Sequence, residues 1–214
     1  MIKLLIFDLD GTLVDAYRAI EESLKHTLKT VGLRLSVEPH VVKSSVGLGD
    51  RHFIGTFVKG KDAQKALNIY RRHHKSSLLK HSRLIRGVKK TLNDLKKRGY
   101  RLAIVSNRPR AFSLILIKHL DLRRYFDIMF CAWKKDELKP SPKLLIRAIR
   151  KARVKRREAV YIGDMAIDVL AGKNAGIRTI AILGGSSSRG ELEAAGPSKI
   201  VSKPHAILEL FPEI

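Results

Sequence analysis

The sequence predicts an α/β fold, a doubly wound parallel sheet of the Rossmann type with a small all-helical insertion after the first strand. Three observations predict it. Five short runs rich in Ile, Leu and Val have the composition of strands that are buried on both faces. Stretches with helical periodicity alternate with these runs, as in a parallel sheet. One longer helical region follows the first run and interrupts the alternation.

The strand predictions come directly from the apolar runs. The five runs are Lys3–Phe7, Arg101–Val105, Ile128–Cys131, Val160–Ile162 and Thr179–Leu183. Each is short, as expected for strands of an ordinary sheet. The order of these runs along the chain therefore predicts a sheet whose strands are joined by helical crossovers.

The predicted helices have recognisable ends. A helical period from Val88 to Arg98 stops at Gly99, and another from Met165 to Ala175 stops at Gly176, as glycine commonly follows a helix. The helix predicted over Ser141–Ala152 opens with a serine cap and a proline at its first position. A short closing helix is predicted over Pro204–Ile214.

Residues 16–82 lack a strand-like run of comparable quality. Two amphipathic helices are predicted there, Ala16–Val31, closed by Gly32, and Asp62–Lys80. We therefore predict two domains, an α/β core formed by residues 1–15 and 83–214, and a helical domain formed by residues 16–82.

The composition excludes several classes of protein. The chain has 214 residues, of which 44% are hydrophobic and 29% are charged, and these values describe a globular chain rather than a disordered or collagen-like one. A single cysteine, Cys131, excludes a disulfide scaffold and indicates a small buried hydrophobe. No apolar run approaches the roughly 20 residues of a membrane span, and Asp8 and Asp10 interrupt the apolar start. We expect a cytoplasmic monomer or homodimer without a membrane partner.

The net charge of +23 is unusually high, and residues 84–160 alone carry +17. Such charge can attract nucleic acid, or it can be a solvated basic surface that weakly steers small anions. Aromatic residues are sparse in this stretch, so the stacking platforms of single-strand binders are not evident. The solvated surface is the favoured interpretation, and nucleic acid is the alternative partner.

Polar residues of the types that act in catalytic and binding sites follow three of the predicted strands. The first strand leads to Asp8 and Asp10, the second to Ser106, and the fourth to Asp164. Lys139 follows the third strand after a loop. Because the carboxyl ends of parallel strands share one edge, where open sheets place their ligands, we expect these side chains to converge.

The expected cluster suits phosphate chemistry. Neighbouring carboxylates repel unless a hard cation joins them, and Mg²⁺ prefers oxygen ligands. A carboxylate such as Asp8 can also attack phosphorus, and a second one such as Asp10 can transfer a proton. Gly11 lets the backbone approach a phosphate closely. Three further side chains are expected to hold its oxygens: Thr12, Ser106 and Lys139.

These motifs together resemble the haloacid dehalogenase superfamily of phosphatases. The matching pieces are Asp8-Leu9-Asp10-Gly11-Thr12, Ser106, Lys139-Pro140, and Gly163-Asp164 with Asp168, in the order of the family and across nearly the whole chain. The resemblance extends to the carboxylate of Asp10, which the dehalogenating members lack, and this favours phosphate chemistry.

The resemblance implies a role for each matching residue. Asp8 is the expected nucleophile and Asp10 the expected general acid and base. The expected Mg²⁺ ligands are Asp8, the backbone carbonyl of Asp10, and Asp164, with Asp168 in support or simply acting as an acidic residue in the first turn of a helix. Ser106 and Lys139 are expected to hold the phosphate, and we add Asn107 as their neighbour. The helical domain resembles the family's small cap.

The substrate is less defined by the sequence. The turn Val46–Arg51 resembles a Gly-x-Gly turn of phosphoglycolate phosphatase-like members, which makes Gly47, Gly49 and Arg51 candidate specificity residues, although the turn can also be a plain helix connection. Arg108 can reach a substrate or be a surface cation. His73 and His74 are predicted to be solvated, and Trp133 to pack at a strand end.

The sequence thus predicts a magnesium-dependent phosphatase of a small phosphorylated metabolite, with phosphoglycolate as the leading candidate. The alternatives are a nucleotide or nucleic-acid end phosphatase, a sugar-phosphate mutase that uses the same residues, and a non-catalytic binding protein.

Overall fold

A computed structural model describes all residues from 1 to 214. The chain forms eight strands and nine α-helices, followed by a 3₁₀ segment at Pro204–Leu210. In chain order they are β1 (Leu4–Phe7), β2 (Val14–Asp15), α1 (Tyr17–Thr30), α2 (Pro39–Ser45), α3 (Asp50–Phe57), α4 (Ala63–His81), β3 (Arg83–Leu84), α5 (Val88–Lys97), β4 (Arg101–Ser106), α6 (Arg110–His119), β5 (Ile128–Cys131), α7 (Lys143–Ala152), β6 (Ala159–Gly163), α8 (Ala166–Ala175), β7 (Arg178–Ile182), α9 (Arg189–Ala195) and β8 (Lys199–Val201).

Six of the strands form one sheet in the order β5-β4-β1-β6-β7-β8, and all neighbouring pairs are parallel. The sheet confirms the predicted α/β fold class. The strand order reverses direction at β1, which lies between β4 and β6, and ligands of open parallel sheets bind beside such a switch point. The carboxyl end of β1 is therefore the position where the fold favours a site.

Helices cover both faces of the sheet because its strands are apolar on both sides. One face packs against α5, α6 and the 3₁₀ segment, with Phe7 and Leu92 among the buried residues. The other face packs against α7 and α8, with Ile6 and Tyr161 buried there. These two apolar layers fix the ends of the strands, and hence the side chains that follow them.

Helices α1 to α4 pack together around an apolar cluster of their own. Leu24 and Leu28 of α1 meet Phe53 and Ile54 of α3 and Tyr70 of α4 there. The antiparallel pair β2–β3 connects this helical segment to the rest of the chain at both of its ends. The segment is thereby placed above the carboxyl edge of the main sheet.

Several details differ from the predictions. Strands β2, β3 and β8 and helices α2, α3, α6 and α9 were not predicted. The closing segment, predicted as a helix over Pro204–Ile214, is a 3₁₀ segment that ends at Leu210. Trp133 was predicted to pack, but its side chain is 84% exposed. The prediction that His74 is solvated is wrong, because His74 is buried on the inner face of α4. None of the nine helices has both the length and the apolar character that crossing a bilayer requires.

Candidate active site

The structure brings most of the predicted site residues together at the carboxyl edge of the sheet. Asp8 follows β1, Ser106 ends β4, and Asp164 follows β6, so the three neighbouring strands deliver their side chains side by side. Lys139 comes from the loop between β5 and α7. All four of these side chains are buried.

Lys139 is the electrostatic centre of this cluster. Its Nζ lies 2.9 Å from Asp8 Oδ1 and 2.6 Å from Asp168 Oδ1. Burial disfavours the charged ammonium, but the negative charges of Asp168 and Asp8 outweigh this effect and raise the pKa of Lys139. The loop is held by Asn107, whose Oδ1 accepts the backbone N–H of Lys139 at 2.8 Å.

Asp168 is occupied by partners within the protein. Its Oδ1 accepts hydrogen bonds from Lys139 Nζ at 2.6 Å and from the Tyr161 hydroxyl at 3.1 Å. Its Oδ2 accepts the backbone N–H of Met165 at 3.0 Å, within the first turn of α8. These contacts make Asp168 a support for Lys139.

Asp164 is fixed by two short hydrogen bonds. The Thr12 hydroxyl donates to Oδ1 at 2.7 Å, and the backbone N–H of Ser186 donates to Oδ2 at 2.8 Å. The glycine at position 11 is required here, because its φ is +75° and an added Cβ would lie 2.2 Å from Asp164 Oδ2. Thr12 and Gly11, which were predicted to contact phosphate, pack against Asp164, and neither lines the cavity that contains Asp8 and Lys139.

The buried carboxylates carry more negative charge than Lys139 neutralises. Oxygens of Asp8, Asp164 and Asp168 lie within 4.8 Å of one another. Burial, together with the charges of Asp168 and Asp10, raises the pKa of Asp8 to about 7 despite the opposing charge of Lys139. Burial and the charges of Asp168 and Asp8 likewise raise the pKa of Asp164.

This donor set fits a divalent cation. Asp8 Oδ1 is buried without a hydrogen bond, since its contact with Lys139 is an ion pair outside hydrogen-bond geometry. A buried carboxylate oxygen that receives no hydrogen bond is costly, and a hard cation satisfies it while reducing the repulsion between Asp8 and Asp164. Asp8 and Asp164 are the carboxylates that can hold such an ion.

Asp10 is held by Arg108 through a two-pronged ion pair. Arg108 Nε donates to Oδ2 at 2.6 Å and Nη2 donates to Oδ1 at 2.7 Å. Arg108 is buried and belongs to the loop after β4, so the interpretation of this residue as a surface cation is wrong. The third nitrogen of its guanidinium group, Nη1, lies 3.0 Å from His74 Nε2.

A cavity of about 60 Å³ lies between the sheet edge and the helical segment. Its floor includes Asp8, Asp10, Ser106 and Lys139. The walls combine apolar or aromatic residues with polar residues and glycine, and they include Ile20, Val46, Gly47, Gly49, Asp50, Phe53, Tyr70, His74, Asn107, Phe112 and Met165. The only cationic side chains that line it are Arg108 and Lys139.

The turn that bears Gly47 and Gly49 reaches this cavity, whereas Arg51 does not. Asn107 Nδ2 donates to the Gly47 carbonyl at 2.7 Å and so ties the turn to the sheet edge. Arg51 is exposed and donates to Gln64 at 3.2 Å. The structure therefore keeps the two glycines, but not Arg51, in the candidate site.

Sequence reasoning missed His74, Tyr70 and Phe112, which all line the cavity. A signal was present for two of them. Leu67, Tyr70, His74 and Leu78 are spaced three or four residues apart, which places them on one face of α4, and that face is buried. The histidine belongs to that apolar stripe and not to the basic face beside it.

The fold and the site together define an α/β protein with an acidic, cation-compatible centre at the switch point of its sheet. The family model for haloacid dehalogenase-like hydrolases matches residues 5–182. The chain belongs to this family.

Proteins of known sequence agree with this placement. The chain is 30% identical over 209 residues to a phosphoglycolate phosphatase of Aquifex aeolicus, and the match covers 98% of this chain and 96% of the relative. It is 29% identical over 201 residues to the pyrophosphatase PpaX of Halalkalibacterium halodurans, which covers 89% of this chain and 86% of the relative.

Solved structures share the whole architecture. A predicted phosphoglycolate phosphatase of Haemophilus somnus superposes with a TM-score of 0.89 at 25% identity, covering 98% of this chain and 97% of that one. CbbY of Rhodobacter sphaeroides, solved in complex with phosphate, superposes with a TM-score of 0.83 at 22% identity, covering 97% of both chains, and supports the fold alone.

Proposed function

We propose that this hydrolase is a Mg²⁺-dependent phosphatase that acts on a small phosphorylated metabolite through an aspartyl-phosphate intermediate. The observation that carries the proposal is the meeting of Asp8, Asp10 and Lys139 at one cavity, with Asp164 beside them. The set offers a nucleophile, a proton donor, and positive charge for the phosphoryl group.

In the first step, a carboxylate oxygen of Asp8 attacks phosphorus, and the bond from phosphorus to the leaving oxygen breaks. Asp10, protonated at this point, gives its proton to that oxygen, so that the leaving group departs as an alcohol. In the second step, water attacks phosphorus of phospho-Asp8 and Asp10 takes its proton. Inorganic phosphate leaves, and Asp8 is regenerated as a carboxylate.

Three groups of the chain are proposed to hold the phosphoryl oxygens. Lys139 supplies a buried positive charge, and Ser106 supplies a hydroxyl from the end of β4. Asn107 holds the Lys139 backbone and also lines the cavity. Donors that are fixed before the reaction stabilise the charge that develops on the phosphoryl group without reorganising.

The metal site is proposed to consist of the Asp8 and Asp164 carboxylates and the Asp10 backbone carbonyl. Bound Mg²⁺ would neutralise negative charge on the nucleophile and the phosphoryl group. Asp168 would contribute by orienting Lys139, to which it is hydrogen-bonded. Thr12 would contribute by fixing Asp164.

We also propose that residues 1–15 and 83–214 form the catalytic core and that residues 16–82 form a cap. The separate apolar cluster of α1 to α4 and the two-stranded connection β2–β3 support this division. Closure of such a segment excludes bulk water from the reaction. Gly47 and Gly49 would then bring backbone, without side chains, against the substrate.

The proposed substrate is a phosphorylated metabolite small enough for a narrow cavity, with phosphoglycolate as the first compound to test. The relatives named phosphoglycolate phosphatase and pyrophosphatase support this size class. A panel of phosphorylated metabolites and inorganic pyrophosphate, each with and without Mg²⁺, tests the proposal. We expect Mg²⁺-dependent phosphate release from a small compound and none from Asp8→Asn. Equal turnover by Asp8→Asn would contradict it.

A phosphatase of nucleic-acid ends is the second candidate, favoured by the +17 of residues 84–160. It predicts tight oligonucleotide binding that weakens steeply with salt, because each phosphate contact releases counterions. The narrow cavity favours the small substrate instead. A 5′-phosphorylated oligonucleotide in the same panel, assayed at low and high salt, separates the two candidates.

A further inference from the structure

His74 is a buried histidine that the proposed chemistry does not use, although it touches a residue that holds the proposed acid. Its side chain is 1% exposed and comes from α4, in the proposed cap. Arg108, which His74 contacts, belongs to the proposed core, and so does Asp10, to which Arg108 is bound. The contact therefore joins the two units at the point where the leaving group would be protonated.

We propose that His74 is a positioning residue for proton transfer, which acts through Arg108 on Asp10. This inference rests on the proposed role of Asp10 as general acid and base. His74 itself would not exchange a proton with the substrate. It would fix the guanidinium that fixes the Asp10 carboxylate.

The guanidinium of Arg108 is held at three nitrogens. Nε and Nη2 donate to the two oxygens of Asp10 at 2.6 and 2.7 Å, and Nη1 contacts His74 Nε2 at 3.0 Å. A guanidinium is planar, so the third contact fixes its rotation in its own plane. The Nε and Nη2 groups of Arg108 each occupy one lone pair, on different oxygens of Asp10. The second lone pair of each Asp10 oxygen therefore stays free for the proton to be transferred.

The donor and the acceptor are determined for each hydrogen bond in the series that runs from Arg108 through His74 and Ser23 to the Ala19 carbonyl. Arginine only donates, so His74 Nε2 accepts and the ring proton lies on Nδ1. Nδ1 donates to Ser23 Oγ at 3.0 Å, and the Ser23 hydroxyl donates to the Ala19 carbonyl at 2.7 Å. Burial and the nearby charge of Arg108 lower the pKa of His74 to about 2, so the ring stays neutral and keeps its acceptor.

Aromatic packing holds the His74 ring in this orientation. Tyr70 of α4 stacks on it with ring centroids 4.8 Å apart, and Phe112 of α6 meets it edge-on at 4.9 Å. The ring is thus held between the two proposed units. Displacement of α4 would remove the acceptor from Arg108 and leave a buried N–H without a partner.

The proposal predicts a defect that depends on the leaving group. An alkoxide needs protonation as it leaves, whereas 4-nitrophenolate does not, because it is a far weaker base. Loss of the His74 acceptor should therefore slow the formation of phospho-Asp8 from alkyl phosphates much more than from 4-nitrophenyl phosphate. A residue that only stabilises the fold would affect both substrates equally.

The experiment compares kcat/KM of the full chain on an alkyl phosphate and on 4-nitrophenyl phosphate, both with Mg²⁺, because kcat/KM reports the step that forms phospho-Asp8 and not its later hydrolysis. His74→Phe keeps an aromatic ring and removes the acceptor, whereas His74→Gln retains an acceptor oxygen. His52→Phe is the matched control, since His52 also lies in the helical segment, at an exposed position of α3. Each variant is also made in an Asp10→Asn background.

We expect His74→Phe to lower kcat/KM on the alkyl phosphate by about 10- to 100-fold and on the aryl phosphate by less than about 3-fold. His74→Gln should recover most of the alkyl activity, and His52→Phe should match the wild type. In the Asp10→Asn background, His74→Phe should add no further loss, because both changes remove the same function.

Equal losses of kcat/KM on both substrates, or a further loss in the Asp10→Asn background, would overturn the role of His74. If His74→Phe does not fold, Ser23→Ala tests the same series of hydrogen bonds, because it removes the acceptor of the His74 Nδ1 proton and so the contact that fixes the tautomer. The Ser23→Ala variant should show a smaller loss of activity with the same dependence on the leaving group. A Ser23→Ala variant without that dependence would overturn the role. If Asp10→Asn alone leaves alkyl turnover unchanged, the proposed function fails instead.

Discussion

Lys139 and Asp168 form an ion pair with 2.6 Å between Nζ and Oδ1, although both side chains are only 2% exposed. A buried pair of this kind gains little over apolar packing but is costly to break, because the remaining charge stays buried. Lys139 also contacts Asp8, so one ammonium serves both a structural acid and the proposed nucleophile. Stability and chemistry are therefore linked at this lysine.

Replacement of Lys139 by Met should damage both properties. We expect a loss of about 3–5 kcal/mol in the free energy of unfolding, because Asp8 and Asp168 lose their counter-ion. Urea unfolding measures the stability, and phosphate release measures the turnover, which should fall at least about 100-fold. Lys135→Met, at an exposed position on the same loop, should change neither. A stable and active Lys139→Met variant would contradict this account of the site.

Replacement of Asp168 by Asn distinguishes a supporting role from a metal-binding one. Because both Asp168 oxygens are occupied by protein donors, the Mg²⁺ concentration for half-maximal turnover should change little. Turnover at saturating Mg²⁺ should fall, because Lys139 loses its nearest partner. A large rise in the required Mg²⁺ concentration with unchanged maximal turnover would identify Asp168 as a ligand.

The raised pKa of Asp8 predicts how the metal-free protein responds to pH. Between the ordinary value of 3.8 and about 7, the folded protein holds a proton that the unfolded chain has lost. This difference makes the free energy of unfolding fall as pH rises from about 4 to about 7. Above about pH 7 the carboxyl group is ionised in both states, so Asp8 causes no further change in stability. Asp8→Asn removes the effect, so in EDTA the variant should be the more stable protein at pH 8.

Thermal unfolding of both proteins from pH 4 to 8 in EDTA measures this difference. The gap in melting temperature should open between pH 4 and 7 and reach at least about 3 °C at pH 8. Mg²⁺ should close the gap by stabilising the wild type, because it binds the folded state. A gap that is constant with pH would show that another group is responsible.

Much of the fold and of the site floor was predictable, because parallel strands share an edge. Asp8, Ser106 and Asp164 each follow an apolar run directly, so their convergence follows from the strand order without knowledge of side-chain contacts. Lys139 was identifiable by its position before a helix that begins after the third strand. In contrast, β8 has only three residues, which are too few to show the hydrophobic pattern of a strand.

The contacts between the helical segment and the sheet edge were not predictable from periodicity. Arg108 contacts His74 because α4 packs against α6, and helix packing depends on the whole surface of both helices. Thr12 follows Gly11 in a motif that suits phosphate, yet its hydroxyl is used by Asp164. Arg51 adjoins the predicted turn, but the helix directs it to Gln64.

Trapping of the covalent intermediate tests the central claim most directly. Asp10→Asn should still form phospho-Asp8 from 4-nitrophenyl phosphate with Mg²⁺, since that leaving group needs little protonation, but should hydrolyse it slowly. After an acid quench, peptide mass spectrometry should find one phosphoryl group on Asp8, absent from the Asp8→Asn, Asp10→Asn double variant. Phosphate release without phosphorylation at Asp8, or with the phosphoryl group on another residue, would contradict the account.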